Sequence, residues 1–500
     1  MEAPRPISLA LAALLAACAP ALAATIHVPG EQPTIQAGID AASLGDTVLV
    51  ASGTYYEYDI VMKSGVCLTS ETGLPDCVTI DAQEFGRVIY CLDVDAAASI
   101  VGLTMTGGRA PALEDSVGGG IYCEDSSPTL ANCTVSGNTA GLAGGGICCV
   151  NSSLRLTNCT FSGNTAGFTG GGVFCYLNSD PTLTNCTFSG NSSYEGGGMC
   201  SLMGGFPTLT GCLFTDNTAY DGGGMIAFIS WPELTDCTFL GNTASSVGGG
   251  MTSSESMPTI IDCDFFENSA TEFGGGLRVG ANELATITGC RFRDNSAERG
   301  GGVGVHSEGN RTLADCSLSR GFDKDARGAA VPREAIFTSC TFARNEASYG
   351  GGLLCDDEED VTLANCTFCR NSASNAGGGL YCDNLATARL LNSIIAFGEG
   401  GGAVGCSGGD NATLYCCDVY GNAGGDWVDC IAGQGTIEDN FSEDPLFCFD
   451  HNLEWPLMLR IDSPCTSDSN PACGLVGAWG VGCDTPVEAI SWGSIKAMFR

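Results

Sequence analysis

Apolar and polar residues alternate in runs too short for amphipathic helices. In residues 181–184, Pro181-Thr182-Leu183-Thr184 predicts a short strand with Leu183 inward. Asn185 falls at a bend. Cys186-Thr187-Phe188 predicts a second strand, with Cys186 and Phe188 inward and Thr187 outward. Asn191 marks the next turn. Gly196-Gly197-Gly198 supplies positive-φ freedom and allows close approach between layers, and Met199 opens a third strand. Three strands and three turns in 26 residues describe one coil of a parallel β-solenoid. Such a coil buries its apolar side chains only when neighbours stack on it.

The pattern repeats in columns. Glycine triplets begin at Gly118, Gly144, Gly170, Gly196, Gly222, Gly248, Gly274 and Gly300, each 26 residues after the last, and recur at Gly350 and Gly377. A cysteine column runs through Cys133, Cys159, Cys186, Cys212, Cys237, Cys263, Cys290, Cys316, Cys340 and Cys366. Two residues after each stands an apolar side chain, including Phe161, Phe188 and Phe214. Three further on stands asparagine, including Asn138, Asn164 and Asn191; the column is broken after Leu318, beside Arg320. Coils in register lie ~4.8 Å apart, so like residues sit above one another. Asparagines can then pass amide hydrogen bonds up the stack, and phenylalanines can stack in the core.

Phe-x-x-Asn followed by Gly-Gly-Gly and an aliphatic residue resembles the repeat of the polymorphic outer-membrane-protein family, whose passenger regions are right-handed parallel β-helices. Thr34-Ile35-Gln36-Ala37-Gly38-Ile39-Asp40-Ala41-Ala42, then Gly45-Asp46-Thr47-Val48-Leu49-Val50, resembles the start of secreted pectate-lyase-like β-helices. There the first stretch is a short helix capping the open core. The resemblance implies an all-β, single-stranded right-handed parallel β-helix with a helical N-terminal cap and a Cys-rich C-terminal cap. The expected layout is a cap and first coils over 25–117, regular repeats over 118–382, degenerate coils over 383–447, a C-terminal cap over 448–484, and a linker and short tail over 485–500. The family's usual C-terminal barrel has no counterpart in the 118 residues after Cys382.

Residues 1–24 read as a signal peptide: Arg5, the apolar run Ile7–Ala17, then Ala21-Leu22-Ala23 as a small-x-small cleavage pattern. Leu15-Ala16-Ala17-Cys18 resembles a lipobox and offers lipid anchoring through Cys18 as the alternative. Either route implies export, to the medium or the outer cell surface. No later stretch is long and apolar enough to span a bilayer.

Charge narrows the partners. Lys plus Arg number 20 against 57 Asp plus Glu, a net charge of −37. This repels phosphate backbones and argues against nucleic-acid binding. The 72 glycines are clustered and proline is only 18, which excludes collagen.

The cysteine column reads as buried thiols, because one thiol per coil converges poorly on a tetrahedral metal. Disulfide candidates are Cys67 with Cys77 and the terminal set Cys448, Cys465, Cys473 and Cys483. Asp356, Asp357, Glu359 and Asp360 lie in the densest acidic run and offer hard oxygens to calcium as a cofactor. Sugar-lyase chemistry in the pectate-lyase style uses an arginine base with calcium carboxylates. Its counterparts here would be Arg327 and Arg333 beside Asp323 and Asp325, although the Arg-x-Pro-x-x-Arg pattern is missing. The leading expectation is a non-catalytic, adhesin-like or envelope scaffold contacting extracellular glycans or other cell-surface components. The alternative is a polysaccharide lyase or glycoside hydrolase.

Overall fold

The computed structural model describes residues 23–110, 116–280, 285–305, 311–319, 322–323, 330–331, 335–355, 360–408, 411–448 and 457–483. Residues 1–22 of the signal-peptide candidate, Cys18 among them, lie outside these, as does the whole tail 485–500.

Three long parallel sheets, of 16, 15 and 14 strands, form the walls of a β-helix. One coil contributes Thr182–Thr184 to the first wall, Thr187–Ser189 to the second and Met199–Leu202 to the third. Two-residue strands after the asparagine column, such as Thr165–Ala166, add short fourth sheets of three and seven strands. The alternation along the chain predicts three strands per coil; this fourth is too short to show a pattern.

Stacking is in register. Phe161, Phe188, Phe214, Phe239, Phe265 and Phe292 pair successively across the second wall. Their rings stack at centroid distances from 4.5 to 4.9 Å. The asparagines do what the column suggested. Asn191 Nδ2 donates to Asn217 Oδ1 at 3.0 Å and to the Phe161 carbonyl at 2.9 Å, while its own Oδ1 accepts from Asn164 Nδ2 at 3.1 Å. Each amide satisfies corner groups that no wall reaches.

The corner between the first and second walls needs a left-handed residue. Asn132, Asn158, Asn185 and Asn365 hold φ near +52° there, a region asparagine tolerates better than most side chains. Among the triplet glycines only the first is left-handed, as at Gly144 (φ +65°). The second is required for another reason: a Cβ on Gly145 would lie 2.5 Å from carbonyl oxygens of Gly171 and Thr165.

The ends are closed differently. At the N-terminal end the helix Ile35–Ala41 buries Ile35, Gly38 and Ile39 against the first strands, and Thr34 caps it by accepting from Ala37 N at 3.1 Å. At the C-terminal end the chain turns back. Phe447, Leu459, Cys465 and Val476 pack on the outer face of the second wall at Cys369, Ile394 and Ala396. The Trp479 indole N–H donates to Thr341 Oγ1 and Ala478 N to Thr367 Oγ1, each at 2.9 Å.

The disulfides match the expectation in part: Cys448, Cys473 and Cys483 of the terminal set are bonded, while Cys465, Cys67 and Cys77 are not. The bonds are Cys406–Cys430, Cys416–Cys473 and Cys448–Cys483. Cys67 and Cys77 are free. Cys67 faces outward from the first wall and Cys77 precedes a strand of the second, so the two serve different faces. Cys465 is also free, and buried.

Candidate functional site

The fold-back leaves a cleft of about 600 Å³ between the last coil and the C-terminal segment. Its lining carries four carboxylates, Asp439, Glu443, Asp444 and Asp462, with the polar Ser469 and Asn470 and the apolar Phe441 and Leu446. Three contacts set its shape. Phe441 bridges to Asp418 as the last parallel pairing of the second wall. Asp444 Oδ1 accepts from Leu446 N at 2.9 Å, and Arg460 pairs with Asp462 at 2.6 Å. Asn440 is spent on structure: its amide donates to the Leu414 and Gln434 carbonyls and its oxygen accepts from Cys417 N.

Beneath the cleft Asp418 is fully buried. Its carboxylate accepts from Glu443 N at 3.1 Å and from the Cys465 thiol at 3.3 Å. Burial raises its pKa to about 7; these hydrogen bonds oppose the rise, and the charges of Glu443 and Asp426 add to it. Cys416, Asp439 and Cys473 bring ligand atoms within 4.8 Å of one another. Both sulfurs, however, belong to the one disulfide, so neither is a thiolate ligand.

A second exposed feature lies on the side of the helix. Phe168, Tyr194 and Tyr220 form an external column, stacked at 5.3 and 4.8 Å. Beside it Glu195 is held above the usual carboxylate range by burial and by Asp221. The rings use their faces on one another, so this column offers mainly edges and hydroxyls rather than a platform for a sugar ring.

Of the residues singled out for lyase chemistry, only Asp323 lies among the described residues. Asp323 pairs with Ala297 in a short strand, and Arg327, Arg333 and Asp325 lie outside the described residues. Asp356, Asp357 and Glu359 also lie outside them. Asp360 opens the strand Asp360–Ala364 and accepts from the Thr387 hydroxyl. The cleft escaped sequence reading because its acids are scattered over 439–462 with no motif spacing. Among the described residues no helix is long and apolar enough to cross a membrane.

In-register parallel walls around one apolar core define the molecule as a β-helix solenoid protein. The chain belongs to the family of the right handed beta helix region, whose model matches residues 91–243, 145–318 and 275–442. No curated protein matches it. Similar solved structures include a mannuronic-acid-specific polysaccharide family 6 lyase from human gut microbiota (13% identity, TM-score 0.34, covering 60% of this chain and 76% of that one). An alginate lyase in complex with a trisaccharide (9% identity, TM-score 0.37, 93% and 97%) and the pectate lyase Pel9A (13% identity, TM-score 0.25, 92% and 96%) are similar at the same level.

Proposed function

We propose that the protein is an exported, non-catalytic β-helix scaffold of the cell surface that holds neutral or amino-bearing glycans in its C-terminal cleft. The cleft carries this reading. Its volume of about 600 Å³ suits a short oligosaccharide. Carboxylates, an amide and a hydroxyl accept and donate to sugar hydroxyls, and Phe441 and Leu446 offer apolar contact to the ring. The four carboxylates and the net charge of −37 disfavour anionic polyuronates. That charge sign weighs against the lyase alternative. The signal-peptide pattern and the resemblance to the polymorphic outer-membrane-protein repeat support the surface location.

The test is a glycan array probed with residues 24–500, followed by incubation with alginate, pectate and neutral glycans, with and without calcium. Binding to neutral or amino sugars without turnover, weakened at least tenfold by Asp444→Asn with Asp462→Asn, is expected. Unsaturated sugar products, or binding confined to polyuronates, would overturn it.

A further inference from the structure

The walls turn their apolar side chains inward, yet one outer corner is apolar as well. Along the outward row that ends the third wall, Glu124, Val150, Tyr176, Leu202, Phe228 and Ser254 pair in register from coil to coil. A polar residue thus closes each end of an apolar run. The corner row that follows it reads Asp125, Asn151, Leu177, Met203, Ile229 and Glu255. Beyond the corner stand Phe206, Trp231 and Met257, with the Phe206 and Trp231 rings stacked at 5.0 Å. Exposure is 41% at Leu177, 42% at Met203, 56% at Phe206 and 47% at Met257. Val150, Tyr176 and Leu202 rest on Cys148, Phe174, Cys200 and Ile226, a buried apolar cluster separate from the main core. No charged residue falls between Glu195 and Asp216, the stretch that supplies the central coil.

The corner row has a left-handed backbone. Its φ is +48° at Asp125, +47° at Asn151, +51° at Leu177, +62° at Met203, +50° at Ile229 and +51° at Glu255. Asparagine and aspartate tolerate this region, whereas bulky or β-branched side chains are strained in it. Leu177, Met203 and Ile229 therefore combine backbone strain with apolar surface left open to water, in three successive coils. The fold does not require them, since Asn151 fills the same place one coil earlier. A contiguous exposed apolar patch of this kind marks a contact surface.

Charge selects the partner. Glu124 and Asp125 border the patch at one end and Glu255 at the other. Asp180 lies beside Phe206 and accepts from its backbone N at 2.8 Å. Arg278 also reaches this border, donating to Ser254 Oγ; four carboxylates against one guanidinium leave the rim acidic. A second copy packed across a two-fold axis would set this rim against itself, and an anionic membrane would repel it. An apolar surface with a cationic rim is complementary.

We propose that the corner built by Leu177, Met203 and Ile229 is a docking surface for a polypeptide partner whose apolar side chains are flanked by lysine or arginine. Three coils at ~4.8 Å occupy about 14 Å, the length of about nine residues of α-helix. The apolar centre supplies affinity, and the acidic rim orients the partner and discourages self-association.

The experiment titrates residues 24–500 with an amphipathic helical peptide of leucine and lysine, about 14 residues long, followed by calorimetry. A lysine–serine peptide of equal length and charge is the control. The variant combines Leu177→Asn, Met203→Asn and Ile229→Asn, which leaves the net charge unchanged. Saturable binding of the leucine–lysine peptide, weakened at least tenfold in the variant, is expected. The variant's thermal midpoint is expected to be equal or higher, because the corner strain is relieved, and the control peptide is expected to bind both proteins alike. Equal binding of the leucine–lysine peptide to both proteins would reduce the effect to the net charge of −37 and overturn the proposal. Two further results would also overturn it. A native dimer in sedimentation that the variant abolishes would make the occupant a second copy. Adsorption to neutral phosphatidylcholine vesicles that the variant abolishes would make it a lipid surface. If the combined variant does not fold, Phe206→Ser decides by the same tenfold criterion.

Discussion

Between Cys133 and Cys366 ten neighbouring cysteines remain thiols, whereas from Cys406 to Cys483 six are joined in three disulfides. The difference follows from what holds each region. In the array every coil is satisfied by its neighbours: backbone ladders, the phenylalanine stack and the asparagine chain all run from coil to coil. The C-terminal segment has no neighbour of its own kind. Its core is small, Phe447, Leu457, Leu459, Cys465 and Val476 against one wall, and covalent links compensate for the missing repeat. Stacking and cross-linking are thus alternative ways of offsetting the same chain entropy.

Reduction should separate the two regions most sharply. Each disulfide contributes about 2–4 kcal/mol, so mild reductant is expected to release the segment after Cys406 to protease while the array stays intact. Simultaneous loss of both regions in calorimetry would merge what the comparison divides. Next comes Phe239→Ala. It leaves a cavity in the continuous stack, with an expected cost of roughly 3–5 kcal/mol, read in the array transition and not in the cap.

Asp418 tests the junction. Its folded pKa of about 7 stands above the usual carboxylate value of about 3.9. The stability it permits is full below pH 4, falls as pH rises toward 7, and is level above that. The total is of the order of 4 kcal/mol. Asp418→Asn is expected to flatten this dependence in a cap-unfolding titration between pH 4 and 8; an unchanged slope would assign the pH effect elsewhere. The smallest effect is Thr341→Val. It removes the acceptor of the Trp479 indole and should cost about 1 kcal/mol, seen as faster hydrogen exchange of that N–H with the array unaffected.

The array was readable because its period makes each position report its neighbours. Leu183, Cys186, Phe188 and Asn191 define one coil, and 26 residues later the reading repeats itself. The cap has no second copy. Spacing alone could not pair Cys448 with Cys483 or bring Cys473 to Cys416, since connectivity depends on how the chain folds back. Cys465 looked like its neighbours in sequence but is buried against Asp418, away from any partner sulfur. A second inner thiol column, Cys91, Cys123, Cys149 and Cys175, also went unread, because Ser201 and Ala227 continue it without cysteine. The cleft depends on that same fold-back.

The asparagine chain has an electrical consequence. From Asn138 to Asn268 each side-chain N–H₂ donates to the oxygen of the next asparagine, in one direction only, with Asn295 as the last acceptor. Seven amide dipoles therefore lie head to tail, each of about 3.5 D if it matches a peptide group, and they polarise one another. The row is a filament with a negative pole at Asn138, where Gly108 N donates to its oxygen, and a positive pole at Asn295. A β-helix built this way carries an axial field without any α-helix to supply it.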